Sequence, residues 1–228
     1  MSEKWLFLQS PTADAATNMA VDEALLRGAT ERRMPLLRVY MWTRPAVSFG
    51  YFQKFPVDIA AKYEIVRRPT GGGMVYHGKD TTYTVVVPRG HSLYEMSAAS
   101  AYCALHRAIV VACEQLTDKR SGGNPTLRMS LPTSPHGQYE CFQNPVHGDV
   151  VADGRKLAGG AQRRTKQGML HQGSIAEEIT ANRLQAGFYI TFQADFQTYA
   201  LTKAENTIVE ELFREKYTTD AWNRKIQR

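Results

Sequence analysis

Apolar residues recur along the chain with two periods. Asn18–Arg27 places Val21, Ala24 and Leu25 at helical spacing behind Thr17 as a cap. Ser97–Leu116 is the clearest helix, with Leu105, Ile109, Ala112, Cys113 and Leu116 on one stripe. A further short helix is predicted over Val57–Tyr63. Between these lie extended runs. Leu36–Tyr40 and Ala46–Tyr51 flank Thr43-Arg-Pro45, and Ile65–Arg67 precedes the loop Pro69-Thr-Gly-Gly-Gly73. Strand resumes at Met74–His77 and Thr82–Val87. In the latter, Tyr83, Val85 and Val87 alternate with Thr82, Thr84 and Val86, so both faces are partly buried. Asp149–Ala152 and Lys156–Arg164 flank Asp153-Gly154, a hairpin signal, and Met169–Ser174 is a further strand. The rest of the C-terminal part reads as mostly helical. Thr117–Gln138 is rich in proline and glycine and reads as a functional lid or a segment that orders on a partner. Grouped strands with helices inserted predict an α+β fold with a mixed, mainly antiparallel sheet flanked by helices.

The 228 residues suit one domain spanning positions 1–228. No apolar run approaches the roughly 18 residues of a membrane span. The N-terminal run reaches Gln9 and Ser10 too early for a secretory leader, so secretion is not expected. Cys103, Cys113 and Cys141 are odd in number and widely spaced, which predicts a reducing, cytoplasmic setting rather than a disulfide framework. A net charge of +6 fits either a plain soluble surface or an acidic partner. The basic residues are scattered and no nucleic-acid-binding pattern appears, so neither nucleic acid nor membrane is expected as a partner. The histidines do not pair with cysteines at zinc spacing, and no metal is expected.

Three clusters can carry chemistry. In Arg67-Arg-Pro-Thr-Gly-Gly-Gly-Met-Val-Tyr-His77, three consecutive glycines lose backbone entropy and pack nothing. They suit a tight loop, or a backbone that approaches a ligand and offers N–H groups to an anion. Arg67, Arg68 and His77 around Gly71, Gly72 and Gly73 favour the second use. The segment is neither a P-loop nor a dinucleotide fingerprint. In Asp153-Gly-Arg-Lys-Leu-Ala-Gly-Gly-Ala-Gln162, Lys156 follows the hairpin turn and precedes the small residues Gly159, Gly160 and Ala161. A lysine there is either a solvated strand residue or a partner for an anion or carbonyl. Cys141 lies outside the amphipathic helix that contains Cys103 and Cys113, whose thiols read as buried and inert. It is either a further structural cysteine or a nucleophile activated by nearby cations.

These segments together resemble the lipoate–protein ligase A / octanoyltransferase family of the biotin/lipoate ligase superfamily. The glycine segment resembles its Arg-Arg-x-x-Gly-Gly-Gly-x-Val-x-His motif, and Gly154-Arg-Lys-x-x-Gly-x-Ala-Gln its lysine motif. Asn18-Met-Ala-Val-Asp-Glu-Ala-Leu25 and Ser48-Phe-Gly-Tyr-Phe-Gln53 also match, so the resemblance runs in order over residues 5–175. Cys141-Phe-x-x-Pro, 15 residues before Lys156, resembles the Gram-positive-type cysteine octanoyltransferases. One run departs: the family often reads Gln-His-Gly-Ser where this chain has His171-Gln172-Gly173-Ser174, and no role is carried over to His171.

The resemblance implies a ligase-like catalytic domain. It also implies octanoyl transfer from acyl carrier protein through an acyl-Cys141 to a lysine of a lipoyl domain. Such domains occur in the glycine-cleavage H protein and 2-oxoacid dehydrogenase E2. Lys156 would hold the thioester carbonyl or favour the thiolate, and backbone N–H groups at Gly72–Gly73 or Gly159–Gly160 would meet the oxyanion. Val75, Tyr83, Val85 and Leu157 would line the acyl slot. That reaction needs no cofactor. The alternative is an ATP- and Mg-dependent lipoate–protein ligase, in which Arg67, Arg68 and the glycines hold lipoyl-AMP and Cys141 is incidental. An amidotransferase between lipoyl domains and a non-enzymatic binding protein are the remaining readings.

Overall fold

The computed structural model describes residues 2–117, 127–130 and 146–225. Strands β1 (Glu3–Gln9), β2 (Leu36–Tyr40), β3 (Ala46–Phe49), β4 (Glu64–Arg67), β5 (Val75–His77) and β6 (Thr81–Pro88) occupy the first part of the chain. They are followed by β7 (Leu127–Met129), β8 (Val150–Ala152), β9 (Arg155–Arg164), β10 (Gly168–Ile175) and β11 (Ala194–Thr198). Helices are α1 (Ala15–Arg27), α2 (Ala29–Arg32), α3 (Ser92–Glu95), α4 (Ala98–Thr117), α5 (Ala181–Phe192), α6 (Lys203–Leu212) and α7 (Asp220–Asn223).

Eight strands form one sheet in the order β11-β1-β2-β6-β10-β9-β8-β7, and three form a second in the order β4-β3-β5. In the large sheet β1 runs parallel to both β11 and β2, and the other pairs are antiparallel. This is the mixed, mainly antiparallel α+β fold expected from the strand grouping. The alternation in β6 sorts its two faces. Tyr83, Val85 and Val87 pack under Leu105 and Ile109 of α4 and Phe188 of α5. On the other face Val86 joins Val21 and Leu25 of α1. The β8–β9 turn has φ of 48° at Asp153 and 78° at Gly154, both positive, as a two-residue hairpin of the Asp-Gly kind requires.

Two strands differ from expectation. β1 buries Trp5, Leu6, Phe7 and Leu8 in succession, so it lacks the alternation that marks a strand with one wet face. β11 interrupts the C-terminal part read as helical. It pairs Ala194–Thr198 with Glu3–Phe7, and Phe196 meets the Trp5 ring at 6.1 Å. The Val57–Tyr63 region makes only a 3-10 turn over Val57–Ile59. Within the segment expected as a lid, Leu127–Met129 pairs with β8 as an edge strand. Residues 118–126 and 131–138 of that segment, and Cys141, lie outside the described residues. Among the described residues no helix is long and apolar enough to cross a membrane.

Candidate active site

A cleft opens where β9 and β10 of the large sheet face the small sheet. Met19 of α1, Tyr40, Trp42 and Val75 give it an apolar side. Lys156, Gly159, Gly160 and Ala161 of β9, with Ser48, Arg68, His77, Thr82, Gln172 and Ser174, give it a polar side. Arg68, His77, Lys156 and Gly159–Ala161 are thus brought together from segments far apart in the chain. Arg67, Tyr83 and the three consecutive glycines are not among the lining residues.

Each of these placements has a local cause. The Arg68 guanidinium donates to the carbonyls of Gly71 (2.7 Å) and Gly73 (2.6 Å) and to the Ser48 carbonyl (3.0 Å), which folds the glycine loop back on itself. Gly72 has φ of +84°, and its carbonyl lies so close to Gly50 that a Cβ on Gly50 would stand 2.0 Å from the oxygen. The glycines therefore serve first to let two backbone segments touch.

Arg67 points the other way. Its fully buried guanidinium donates to the carbonyls of Tyr51 (2.6 Å), Gln53 (2.7 Å), Trp222 (2.9 Å) and Asn223 (3.0 Å). Trp222 Nε1 returns a bond to the Arg67 carbonyl at 2.8 Å. The C-terminal residues, which offer no motif in the sequence, thereby anchor the start of the glycine segment.

His77 is buried and stacked on Trp42 at 4.0 Å between ring centres. Its Nδ1 lies 2.7 Å from Asp80 Oδ2 and its Nε2 2.8 Å from Ser48 Oγ. Arg68 donates to Ser48 Oγ at 3.2 Å, so that hydroxyl has its proton available for His77 Nε2, and Nδ1–H faces the carboxylate. Burial lowers the His77 pKa despite Asp80, in keeping with a neutral ring. Burial alone would raise the Asp80 pKa. Hydrogen bonds from His77, Ser174 and the Gly78 N–H outweigh it and hold the carboxyl at about 2.

Lys156 reaches the cleft through a passage that only glycine leaves open. A Cβ on Gly159 would lie 2.5 Å from Lys156 Nζ. The ammonium pairs with Asp149 Oδ2 at 2.7 Å, and both side chains are buried. Tyr83 lies on the opposite face, its ring against Gly173, while Val85 and Leu157 belong to the α4–α5 core. Val75 alone of the four residues expected in the acyl slot lines the cleft. Sequence reasoning had no signal for Trp42. Met19 and Ser48 sit inside runs noted for their family resemblance, and Gln172 and Ser174 inside the run that departs from it, all without an individual role.

His171 is buried on the α4 face, with its ring centre 5.3 Å from His106 and 5.4 Å from Tyr102. Burial pushes His106 down to about 4 and His171 well below its ordinary value. The unfolded chain then binds more protons than the folded one between pH 6.5 and 4. Stability is complete above about 6.5 and falls as the pH drops towards 4. His106 alone accounts for about 3 kcal/mol over that window, and about 2 kcal/mol by pH 5. Urea midpoints at pH 7.5 and pH 5 should differ in that direction, and equal midpoints would contradict a neutral buried pair. Of the two cysteines expected to be inert, Cys113 is buried, with its thiol pushed up to about 12 by burial. Cys103 is only half-buried, because it sits at the flank of the α4 stripe, and its Sγ lies 3.8 Å from His147 Nε2. Among the described residues no group of three or more His, Cys, Asp or Glu could hold a metal ion.

Comparison with known proteins gives consistent relatives. The model of the lipoyl protein ligase A/B catalytic domain matches residues 14–224. Octanoyltransferase LipM of Oceanobacillus iheyensis is 37% identical over 191 residues, covering 81% of this chain and 68% of that protein. Octanoyltransferase LipM of Halalkalibacterium halodurans is 30% identical over 272 residues, covering 97% and 99%. A crystal structure of lipoate-protein ligase A bound with ATP superimposes with a TM-score of 0.76 at 25% identity, covering 100% of both chains.

Proposed function

The chain belongs to the lipoyl protein ligase A/B catalytic-domain family, and from that premise we propose that it moves an octanoyl group from acyl carrier protein to a lysine of a lipoyl domain through a thioester on Cys141. The Cys141 thiolate attacks the carbonyl carbon of the donor thioester. The carrier leaves as a thiolate and takes up a proton. The neutral amine of the acceptor lysine then attacks the acyl-cysteine, forming the amide and returning the thiolate, and the amine gives up one proton. No ATP is consumed.

The observation that carries this reading is the cleft itself. One side is apolar and suits an alkyl chain, and the other presents Lys156 where a thioester carbonyl would sit. The ligase reading loses a partner, because Arg67 is committed to backbone carbonyls away from the cleft. The relatives' shared name, octanoyltransferase, favours the same choice. The net charge of +6 suits an acidic carrier protein and acidic lipoyl domains such as those of H protein or E2. A reducing cytoplasm would keep Cys141 available as a thiol.

Incubation with octanoyl carrier protein, without ATP, should add one octanoyl mass to the intact protein. The adduct should be lost with hydroxylamine and should map to Cys141. Lipoate- and Mg-dependent exchange between ATP and pyrophosphate, with no such adduct, would assign the ligase activity instead.

A further inference from the structure

Lys156 does not stand alone in the cleft wall. Asp149, immediately before β8, receives it at 2.7 Å on Oδ2, and the same oxygen accepts the Val146 N–H at 2.7 Å. The other carboxylate oxygen accepts the Tyr102 hydroxyl at 2.5 Å. The Tyr102 oxygen in turn accepts the N–H of Gly160, a cleft residue, at 2.9 Å. One turn along α4, His106 packs its ring 4.1 Å from that of Tyr102 and binds the Gly148 carbonyl through Nδ1 at 2.7 Å. Three elements (α4, the β8 entry and β9) therefore converge on one buried carboxylate.

We infer that Asp149 and Tyr102 are positioning residues for acyl transfer, holding the Lys156 ammonium and the Gly159–Gly160 backbone in fixed relation to the reacting carbonyl. The inference rests on the octanoyltransferase reading. A lysine has a flexible four-carbon stem, and a rate gain from its charge requires that charge to stay at one place. Asp149 supplies the counter-charge that makes a desolvated ammonium tolerable, and Tyr102 fixes the carboxylate from behind. Buried ion pairs are commonly replaceable by apolar groups without loss of stability, so a pair whose cation lines the cleft points to geometry rather than to folding. Because the Gly160 N–H is already bonded to Tyr102, it is a fixed part of this frame and not a donor to an oxyanion.

The test compares octanoyl transfer by the unaltered protein, Asp149→Asn, Tyr102→Phe and Lys156→Ala, with the double variant Asp149→Asn/Lys156→Ala. Asparagine keeps the size and an acceptor for Tyr102 while removing the charge. The expected result is a fall in kcat of about tenfold or more for each of the first two variants, with KM for the carrier protein within about twofold. Adding Asp149→Asn to Lys156→Ala should cost nothing further, because the aspartate acts through the lysine. Tyr102→Phe keeps its ring and serves as the readout if Asp149→Asn does not fold. Rates within twofold of the unaltered protein, or additive losses in the double variant, overturn the inference and leave the transferase reading intact. No octanoyl transfer by the unaltered protein sinks both.

Discussion

Cys141→Ala should abolish transfer from octanoyl carrier protein, with a loss of roughly a thousandfold or more, and should leave folding unchanged. A thiolate nucleophile splits the reaction into two thioester-based steps, and alanine removes the atom that carries the acyl group between them. Neither remaining cysteine is equivalent. Cys113 is buried, and with its thiol raised to about 12 it supplies almost no thiolate near neutral pH. Cys103 is the stronger rival, half-buried and 3.8 Å from His147. A Cys103→Ala control should therefore retain both the acyl adduct and turnover. Intact mass and steady-state transfer read both outcomes. An adduct that survives Cys141→Ala and disappears with Cys103→Ala would move the nucleophile to α4.

The strands that carry the site were legible because they alternate. Thr82–Val87 and Met169–Ser174 show period two or end in turn residues, and both sit within β6 and β10. β1 was hidden because both of its faces are buried, Trp5 and Phe7 in one core and Leu6 and Leu8 in another, and β11 because its partner is β1, at the far end of the chain. The site divides similarly. Lys156 and His77 were visible through spacing and resemblance, and both line the cleft. Arg67 carried the same sequence signal yet serves the fold, since a charged residue beside a glycine loop looks alike whether it meets a ligand or five backbone carbonyls. The carbonyls that decide this come from Gly50–Gln53 and Trp222–Asn223, and no local pattern announces such a meeting. Asp149 and Tyr102 were missed for the same reason: their importance depends on contact with Lys156 and Gly160 across three elements.

Asp22→Ala should lower the unfolding free energy by about 3–5 kcal/mol, because it strands a buried guanidinium. Asp22 lies in α1 within the Asn18–Leu25 motif and is completely buried. Arg38 Nη1 of β2 meets its Oδ1 at 2.6 Å. Its Oδ2 accepts from Tyr40 (3.0 Å), Thr84 of β6 (2.8 Å) and Gln172 of β10 (2.6 Å). The residual partners of Arg38 are neutral: Ser10 Oγ and the backbone and side-chain oxygens of Asn18. For a chain of this length the loss corresponds to a fall in Tm of roughly 6–10 °C, readable by thermal denaturation. The double variant Asp22→Leu/Arg38→Met should recover most of it, because two apolar groups of similar volume need no counter-charge. Recovery of stability would not restore the cleft, since Gln172 lines it and would lose the carboxylate that aims its amide. The double variant should therefore be stable but poor in octanoyl transfer. A double variant as unstable as Asp22→Ala would instead show that the bonds to Tyr40, Thr84 and Gln172, rather than the charge on Arg38, hold α1 to the sheet.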